Sequence, residues 1–231
     1  LCAEHLATNG YIKDISFSLQ KGEILGFFGR SGSGKNTLPK ALFGIEPLTN
    51  GKIFVDRLPA QINSPEDALS LGLAYITDER VDCGLFSNLD LLENVYSIKE
   101  NSLGHFWAHT KLEYQRYYRY MKKLDLDLNP AATPTRLSGG EQQKLIMMRW
   151  FMSPARIFIF NEPTQSIDIP SKIDVYNMFN DLILKGASIL IFSSNLEELM
   201  GICDRVIFIK DGIISGEISY SESPSSVQNL I

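Results

Sequence analysis

GRSGSGKNT, residues Gly29–Thr37, decides how the rest of the chain is read. The apolar run EILGFFG (23–29) leads into it as a strand, and TLPKALFG (37–44) leaves it as a helix. A glycine-rich segment at a strand-to-helix turn is where a phosphate-cradling loop belongs. Glycines let successive backbone N–H groups converge on phosphate oxygens, and the start of a helix adds partial positive charge. Lys35 would reach the β- and γ-phosphates. Gly29, Arg30, Ser31, Gly32, Ser33, Gly34, Lys35, Asn36 and Thr37 are therefore the candidates for binding a nucleotide such as ATP with Mg²⁺. Read alone, the segment has a plainer alternative, a turn with an accidental lysine. One letter also departs from the pattern. Asn36 stands where a Ser or Thr hydroxyl would hold the metal. An amide oxygen is an acceptable ligand for a hard cation, but on a longer arm. Thr37 is one residue on and, on a helix, points about 100° away.

The chain around this loop has 231 residues, 44% hydrophobic and 21% charged, enough for one large domain or a domain with a subdomain. Its net charge of −5 argues against broad, charge-driven nucleic-acid binding, which leaves a basic footprint. No apolar run approaches the roughly 18 residues of a membrane span. LCAEHLATNG, at the start, has neither the basic nor the apolar region of a signal peptide. Cys2, Cys83 and Cys203 are scattered without metal-ligand spacing, which points to reduced thiols in a cytosolic setting. The first residue is Leu1 rather than Met, so the expectation is an excerpt of something longer.

Short apolar runs recur beyond the loop: LAYIT (73–77), RIFIFN (156–161) and ASILIFSS (187–194). Apolar throughout, they read as strands buried on both faces of a parallel sheet. Segments of helical spacing separate them, among them SKIDVYNMFNDLILKG (171–186), with Gly186 suited to a C-cap. Alternating strand and helix imply an α/β core. RVIFIKDGIISGEIS (205–219) carries Asp211-Gly212 between two strand-like runs, a hairpin signal. Residues 88–128 are mostly helical in pattern and read as an inserted helical subdomain, and the tail SESPSSVQ (221–228) reads as surface or linker.

A second motif removes the plain reading of the loop. LSGGEQQK (137–144) precedes the strand RIFIFN, which runs into NEPTQSID (161–168). This ordered set, spanning nearly the whole chain, resembles the ATP-binding domain of ABC transporters, with its Walker A, signature, Walker B, D-loop and switch motifs. The resemblance implies an ABC-type P-loop NTPase fold: a mostly parallel core sheet, an antiparallel β subdomain and the helical insertion. The whole of 1–231 would be one such domain, with its core in 1–80 and 150–231 and the helical subdomain at about 85–148. In that family two domains pair head to tail, so Ser138, Gly139, Gly140 and Glu141 would bind the γ-phosphate of an ATP held by the partner. Physically, the Ser138 hydroxyl and the glycine amides make a second anion nest. By the same resemblance Asp168 would be the D-loop acid, a dimer contact rather than a catalyst, and Glu162 would be the base that polarises the attacking water. The bland alternative for Glu162 is a charge near the start of the following helix. Tyr11 lies in the region of the adenine platform and could equally be core or surface.

SPEDALSLGLAYITDERVDCGLFSNLDLLENV (64–95) narrows the resemblance to the second half of double-length ATPases of sugar importers of the ribose, galactose or autoinducer type. The element Asp78-Glu79-Arg80, then Gly84-Leu85 and Glu93-Asn94, stands at matching spacing, and SSNLEELMGICDRVIFIKDG (193–212) resembles their ending. A chain of this length equals about one half of such a protein.

Four positions depart from a hydrolytically complete site. Asn36 replaces the metal-binding hydroxyl, Asn161 replaces the Walker B aspartate, Asp78 takes the Q-loop position and Ser194 takes that of the switch histidine. The last two belong to the sugar-importer pattern, and the first two are this chain's own. Asn36, Asp78 and Asn161 would face the metal, while Glu162 and Ser194 would face the reacting phosphate. Pro39 adds an oddity: in a helix interior it costs roughly 3 kcal/mol, and less near the first turn. Phosphoryl transfer depends on stabilising charge in the transition state, so these losses should depress hydrolysis more than binding. The expectation is an energy-coupling ATPase half on the cytoplasmic face of the membrane, with a degenerate site of its own and an intact signature. Its partners would be a second nucleotide-binding half, permease subunits and, indirectly, a periplasmic or lipid-anchored sugar-binding protein, with no nucleic acid. The alternatives are a non-catalytic regulatory module of the same complex and a soluble ABC ATPase outside transport.

Overall fold

The computed structural model describes residues 1–77, 79, 84–103, 110–124 and 126–219. They form two compact units: Leu1–Tyr75, Ala155–Pro163 and Phe179 onward make the first, Ile76–Pro154 and Thr164–Met178 the second. Asp78, Arg80 and Cys83 lie outside the described residues, as does the tail 221–228.

The first unit carries two sheets. Strands β1 (Cys2–Thr8), β2 (Ile15–Ser18), β4 (Leu48–Val55) and β5 (Leu58–Ala60) form an antiparallel sheet in the order β2-β1-β4-β5. ISFS of β2 alternates buried and exposed, as a strand with one face in the core must. Strands β3 (Ile24–Phe28), β6 (Leu73–Ile76), β7 (Ile157–Asn161), β8 (Ser188–Ser193), β9 (Arg205–Lys210) and β10 (Ile213–Ser219) form the second, ordered β10-β9-β3-β8-β7-β6. Every residue of β7 and β8 is buried, the physical counterpart of their unbroken apolar sequence. β3 pairs in parallel with β8 and β9, and β7 with β8. Between β3 and β8 the rings of Phe27 and Phe192 stack with centroids 4.6 Å apart, fixing the register Phe28↔Ser193. Asn161 at the end of β7 is opposite Phe192. The C-terminal ends of β3, β7 and β8 are thereby level with one another, the edge at which open α/β sheets bind ligands.

Local chemistry accounts for the connections. β9 and β10 turn through Asp211 (φ 52°) and Gly212 (φ 81°), both left-handed as a two-residue type I′ hairpin requires. Arg205 joins the sheets: Nε donates to Glu23 Oε1 at 2.5 Å, Nη1 to Glu217 Oε1 at 2.6 Å and Nη2 to the Ser18 carbonyl at 2.7 Å. Helix α1 (Thr37–Leu42) follows β3, and α2 (Pro65–Ser70) is capped by the Ser64 hydroxyl, which accepts from Asp67 N at 3.3 Å. The helix foreseen at 171–186 is α6 (Ile169–Leu184), which begins two residues earlier and ends ahead of left-handed Gly186 (φ 84°). Helix α7 (Leu196–Ile202) begins at Asn195, whose Oδ1 accepts from Glu198 N at 3.1 Å.

The second unit is helical, with α3 (Leu91–Leu103), α4 (Lys111–Lys123) and α5 (Gly139–Phe151). Each starts on a reciprocal cap, Asp90 with Glu93, Thr110 with Glu113 and Ser138 with Glu141. Asn94, fully buried, accepts from Phe86 N and donates to the carbonyls of Phe86, Leu89 and Asp90, binding the loop before α3 to its first turn. Arg149 on α5 completes that knot, donating to Gly84 O (2.7 Å), Asn94 O (2.7 Å) and Asn94 Oδ1 (3.0 Å). Burial pushes its guanidinium pKa down to about 10. The Gly84 and Asn94 positions picked out by spacing therefore have a structural job in this chain.

Candidate functional site

Leaving β3, the chain enters the loop at Gly29, where an added Cβ would lie 2.3 Å from Ser33 Oγ and 3.2 Å from Lys35 Cβ. Gly34 is left-handed (φ 100°), and a side chain there would strike the Tyr11 carbonyl at 2.8 Å. Only glycine satisfies both conditions. The loop closes by Ser33 N donating to Arg30 O at 3.1 Å and Lys35 N to Ser33 Oγ at 3.3 Å. Arg30, Ser31 and Gly32 are exposed, whereas Ser33, Gly34 and Lys35 are buried. Tyr11, beside Gly34, is 61% exposed, which removes the core reading of that residue.

Pro39 is the third residue of α1. The first N–H groups of a helix have no intrahelical acceptor, so a proline there forfeits no ladder bond. The outcome is a helix of only six residues that starts after Asn36, leaving Lys35 and Asn36 outside it. Asn36 makes no capping bond. Its Oδ1 instead accepts from Lys35 Nζ at 2.9 Å.

Lys35 Nζ also pairs with Glu162 Oε1, the side chains being 5% and 11% exposed. Glu162 sits just past β7 with a left-handed backbone (φ 47°), a conformation that costs a non-glycine residue about 1 kcal/mol or more. Its N–H donates to the Phe192 carbonyl at 2.8 Å, tying the turn to β8. At the switch position the side chain of Ser194 is not what reaches Glu162. The Ser194 N–H donates to Glu162 Oε1 at 2.9 Å, and the neighbouring Ser193 hydroxyl donates to Oε2 at 3.4 Å. Ser193 was not singled out in the sequence; its place at the end of β8, beside the switch position, was the available signal. Asn161 is 1% exposed.

These residues make a poor set of ligands for a resident divalent metal. A hard cation wants several oxygens with carboxylate charge. Here the carboxylate of Glu162 is engaged by Lys35 and Ser194, the Asn36 oxygen carries a hydrogen bond from Lys35, and position 161 offers an uncharged amide. Among the described residues no group of three or more His, Cys, Asp or Glu is placed to hold a metal ion.

The second candidate locus lies in the helical unit. Ser138 is exposed at the start of α5, its Oγ accepting from Glu141 N at 3.3 Å while Glu141 Oε2 accepts from Ser138 N at 2.7 Å. With its oxygen so engaged, the hydroxyl keeps its proton for another acceptor. Gly140 is buried, and a Cβ there would come within 2.5 Å of Ser171 Oγ and 3.3 Å of Asp168 Oδ1. Asp168 receives the Ser171 hydroxyl at 2.8 Å and the Ser171 N–H at 3.2 Å, bonds that hold its carboxyl below the usual aspartate value. Gly140 and Asp168 thus share Ser171, a residue that the motifs did not mark.

The sequence model of the family described as ABC transporter matches residues 12–165, more than half of the chain. The chain belongs to the ABC transporter family. Among curated relatives, this ABC cassette is 34% identical over 226 residues to a Burkholderia lata protein provisionally named ribose/galactose/methyl galactoside import ATP-binding protein 2, covering 96% of this chain and 43% of that protein. It is 35% identical over 225 residues to the ribose import ATP-binding protein RbsA of Oceanobacillus iheyensis, covering 96% of this chain and 45% of that one. The cassette therefore spans less than half the length of these relatives. Its fold matches that of the dimeric ATP-binding cassette MJ0796 bound to ADP and Pi, with a TM-score of 0.79 at 20% identity over 96% of this chain and 99% of that one. The expected architecture, core sheet, antiparallel β sheet and helical insertion, is the one observed. Among the described residues no helix is long and apolar enough to cross a membrane.

Proposed function

We propose that this ABC cassette is one nucleotide-binding half of a carbohydrate importer, that it holds ATP at Gly29–Thr37, and that it hydrolyses ATP slowly or not at all at that site. The observation that carries the reading is the convergence of Lys35 and Glu162 beside two amides, Asn36 and Asn161. Lysine and loop amides suffice to hold phosphates. The charge that would organise a metal for phosphoryl transfer is missing, and at 194 a serine stands in for the family's histidine. Glu162 is the base that remains and Tyr11 the adenine platform. Magnesium enters as the nucleotide's own counter-ion, facing Asn36 and Asn161.

The exposed Ser138, with Gly139, Gly140 and Glu141, completes the ATP site of a second half, to which Asp168 also makes contact. Support comes from the named import role of the relatives and the dimeric state of the structural neighbour. Ribose or galactose is the class of sugar suggested by those names. The cassette works at the cytoplasmic face of the membrane on permease subunits, with a sugar-binding protein as an indirect partner. A second reading, a regulatory module without catalysis, is favoured by the same pair of amides.

Mixing the cassette with its partner half and substituting Lys35 and Ser138 separately tests the first reading. Ser138→Ala is expected to abolish most turnover and Lys35→Ala to leave most of it. The reverse pattern overturns the reading.

A further inference from the structure

We infer that this cassette binds nucleoside di- and triphosphates without needing a divalent cation, its affinity being set by competition between phosphate and Glu162 for Lys35. The inference rests on the nucleotide-binding reading and adds a property of that site. Its basis is a charge inventory. Lys35 and Glu162 contribute one charge each, of opposite sign, and Asn36, Asn161, Ser193 and Ser194 contribute none. A divalent ion that bridges protein and nucleotide strengthens binding when the protein offers it oxygens and negative charge. In this site Asn36 Oδ1 is engaged by Lys35, and Glu162 Oε1 by Lys35 and the Ser194 N–H.

Glu162 has a second effect. The pair is largely sealed from solvent, so a phosphate entering the loop must draw Lys35 away from a carboxylate that water cannot readily re-solvate. The protein's own anion is then the main competitor of the ligand, and the metal, which no charged protein group shares, changes little. Metal bound to the phosphates even offsets part of the charge that Lys35 attracts.

The test is a titration of the full chain with fluorescent ADP, in magnesium and in EDTA, with Lys35→Ala as the control for the site. Dissociation constants within about threefold of each other in the two buffers are expected. Asn36→Ser, at an exposed position, and Asn161→Asp are expected to restore a magnesium preference of about tenfold. Asn161 is buried and its aspartate variant can fail to fold, so Asn36→Ser carries the test alone in that event. Binding confined to the magnesium buffer in the parent chain overturns this inference while leaving the nucleotide site standing. Absence of binding in both buffers overturns the nucleotide reading and this inference with it. A folded Asn36→Ser that stays indifferent to magnesium overturns the role given to the amide.

Discussion

Lys35 and Glu162, 127 residues apart in the chain, form an ion pair with only 5% and 11% of their side chains exposed. It joins the loop after β3 to the turn after β7, across the level C-terminal ends of parallel strands. In this arrangement the residue that would act as base also restrains the lysine that would bind phosphate.

Removing the negative charge while keeping the shape should free the lysine. Glu162→Gln is expected to tighten ADP binding by about tenfold, or ~1.4 kcal/mol. ADP is the ligand of choice because slowed hydrolysis cannot imitate the effect. Calorimetric titration measures it, and weaker binding would sink the idea of internal competition.

Arg149 closes the loop before α3 through three hydrogen bonds to Gly84 and Asn94, and its side chain lies 5.2 Å over the Phe86 ring. Arg149→Met removes the guanidinium from all three oxygens, of which Asn94 Oδ1 keeps the Phe86 N–H and Asn94 O the Ser97 hydroxyl. It is expected to lower stability by about 2–4 kcal/mol in urea unfolding. Because Asn94 shares the network, Asn94→Ala and Arg149→Met should combine to less than the sum of their separate costs.

Gly140 approaches Ser171 too closely to admit a methyl group, since a Cβ there would lie 2.5 Å from its hydroxyl oxygen. Gly140→Ala is expected to cost about 1–3 kcal/mol. Adding Ser171→Gly removes the colliding atom and should recover part of that loss. Additive costs in the double variant would rule out the contact as the cause.

Asp168 gives the pH dependence of the start of α6. Its hydrogen bonds from the Ser171 side chain and backbone lower its folded-state pKa below the ordinary 3.8. A depressed carboxylate contributes stability above the unfolded value, and that contribution is lost as pH falls through the folded one. Carboxyl NMR should therefore find Asp168 titrating below the ordinary aspartate value. Amide exchange at Ser171 should quicken only at acid pH, and Asp168→Asn should remove the dependence.

Cys203 is 5% exposed, and burial raises its thiol pKa strongly. Thiolate is the reactive form, so alkylation at mildly alkaline pH should mark the half-buried Cys2 and spare Cys203 until the protein unfolds. Peptide mass spectrometry distinguishes the two.

Much of this was written in local sequence. The four apolar runs are strands within one or two residues of their expected limits, and Asp211-Gly212 makes its turn, because burial on two faces and left-handed backbone each constrain a few adjacent residues. GRSGSGK and LSGGEQQK were legible for the same reason: backbone cradles and helix caps are built from neighbours. Pro39 was legible on the same local ground: TLPKALFG reads as a helix from Thr37, α1 begins there, and the proline falls in its first turn.

What the sequence determined by itself, then, was the order of elements, the glycine-rich turn after β3 and the helix start at LSGGEQQK, with Asn36 and Asn161 as candidates for the site. Tertiary structure decided the rest. Strand order β3-β8-β7 brings Glu162 to Lys35 and turns the Ser194 backbone, rather than its side chain, toward that carboxylate. Packing of α5 draws Arg149 to Asn94 and leaves Gly140 against Ser171. Such partners are chosen by which elements lie side by side, and spacing along the chain carries no record of a neighbour 127 residues away.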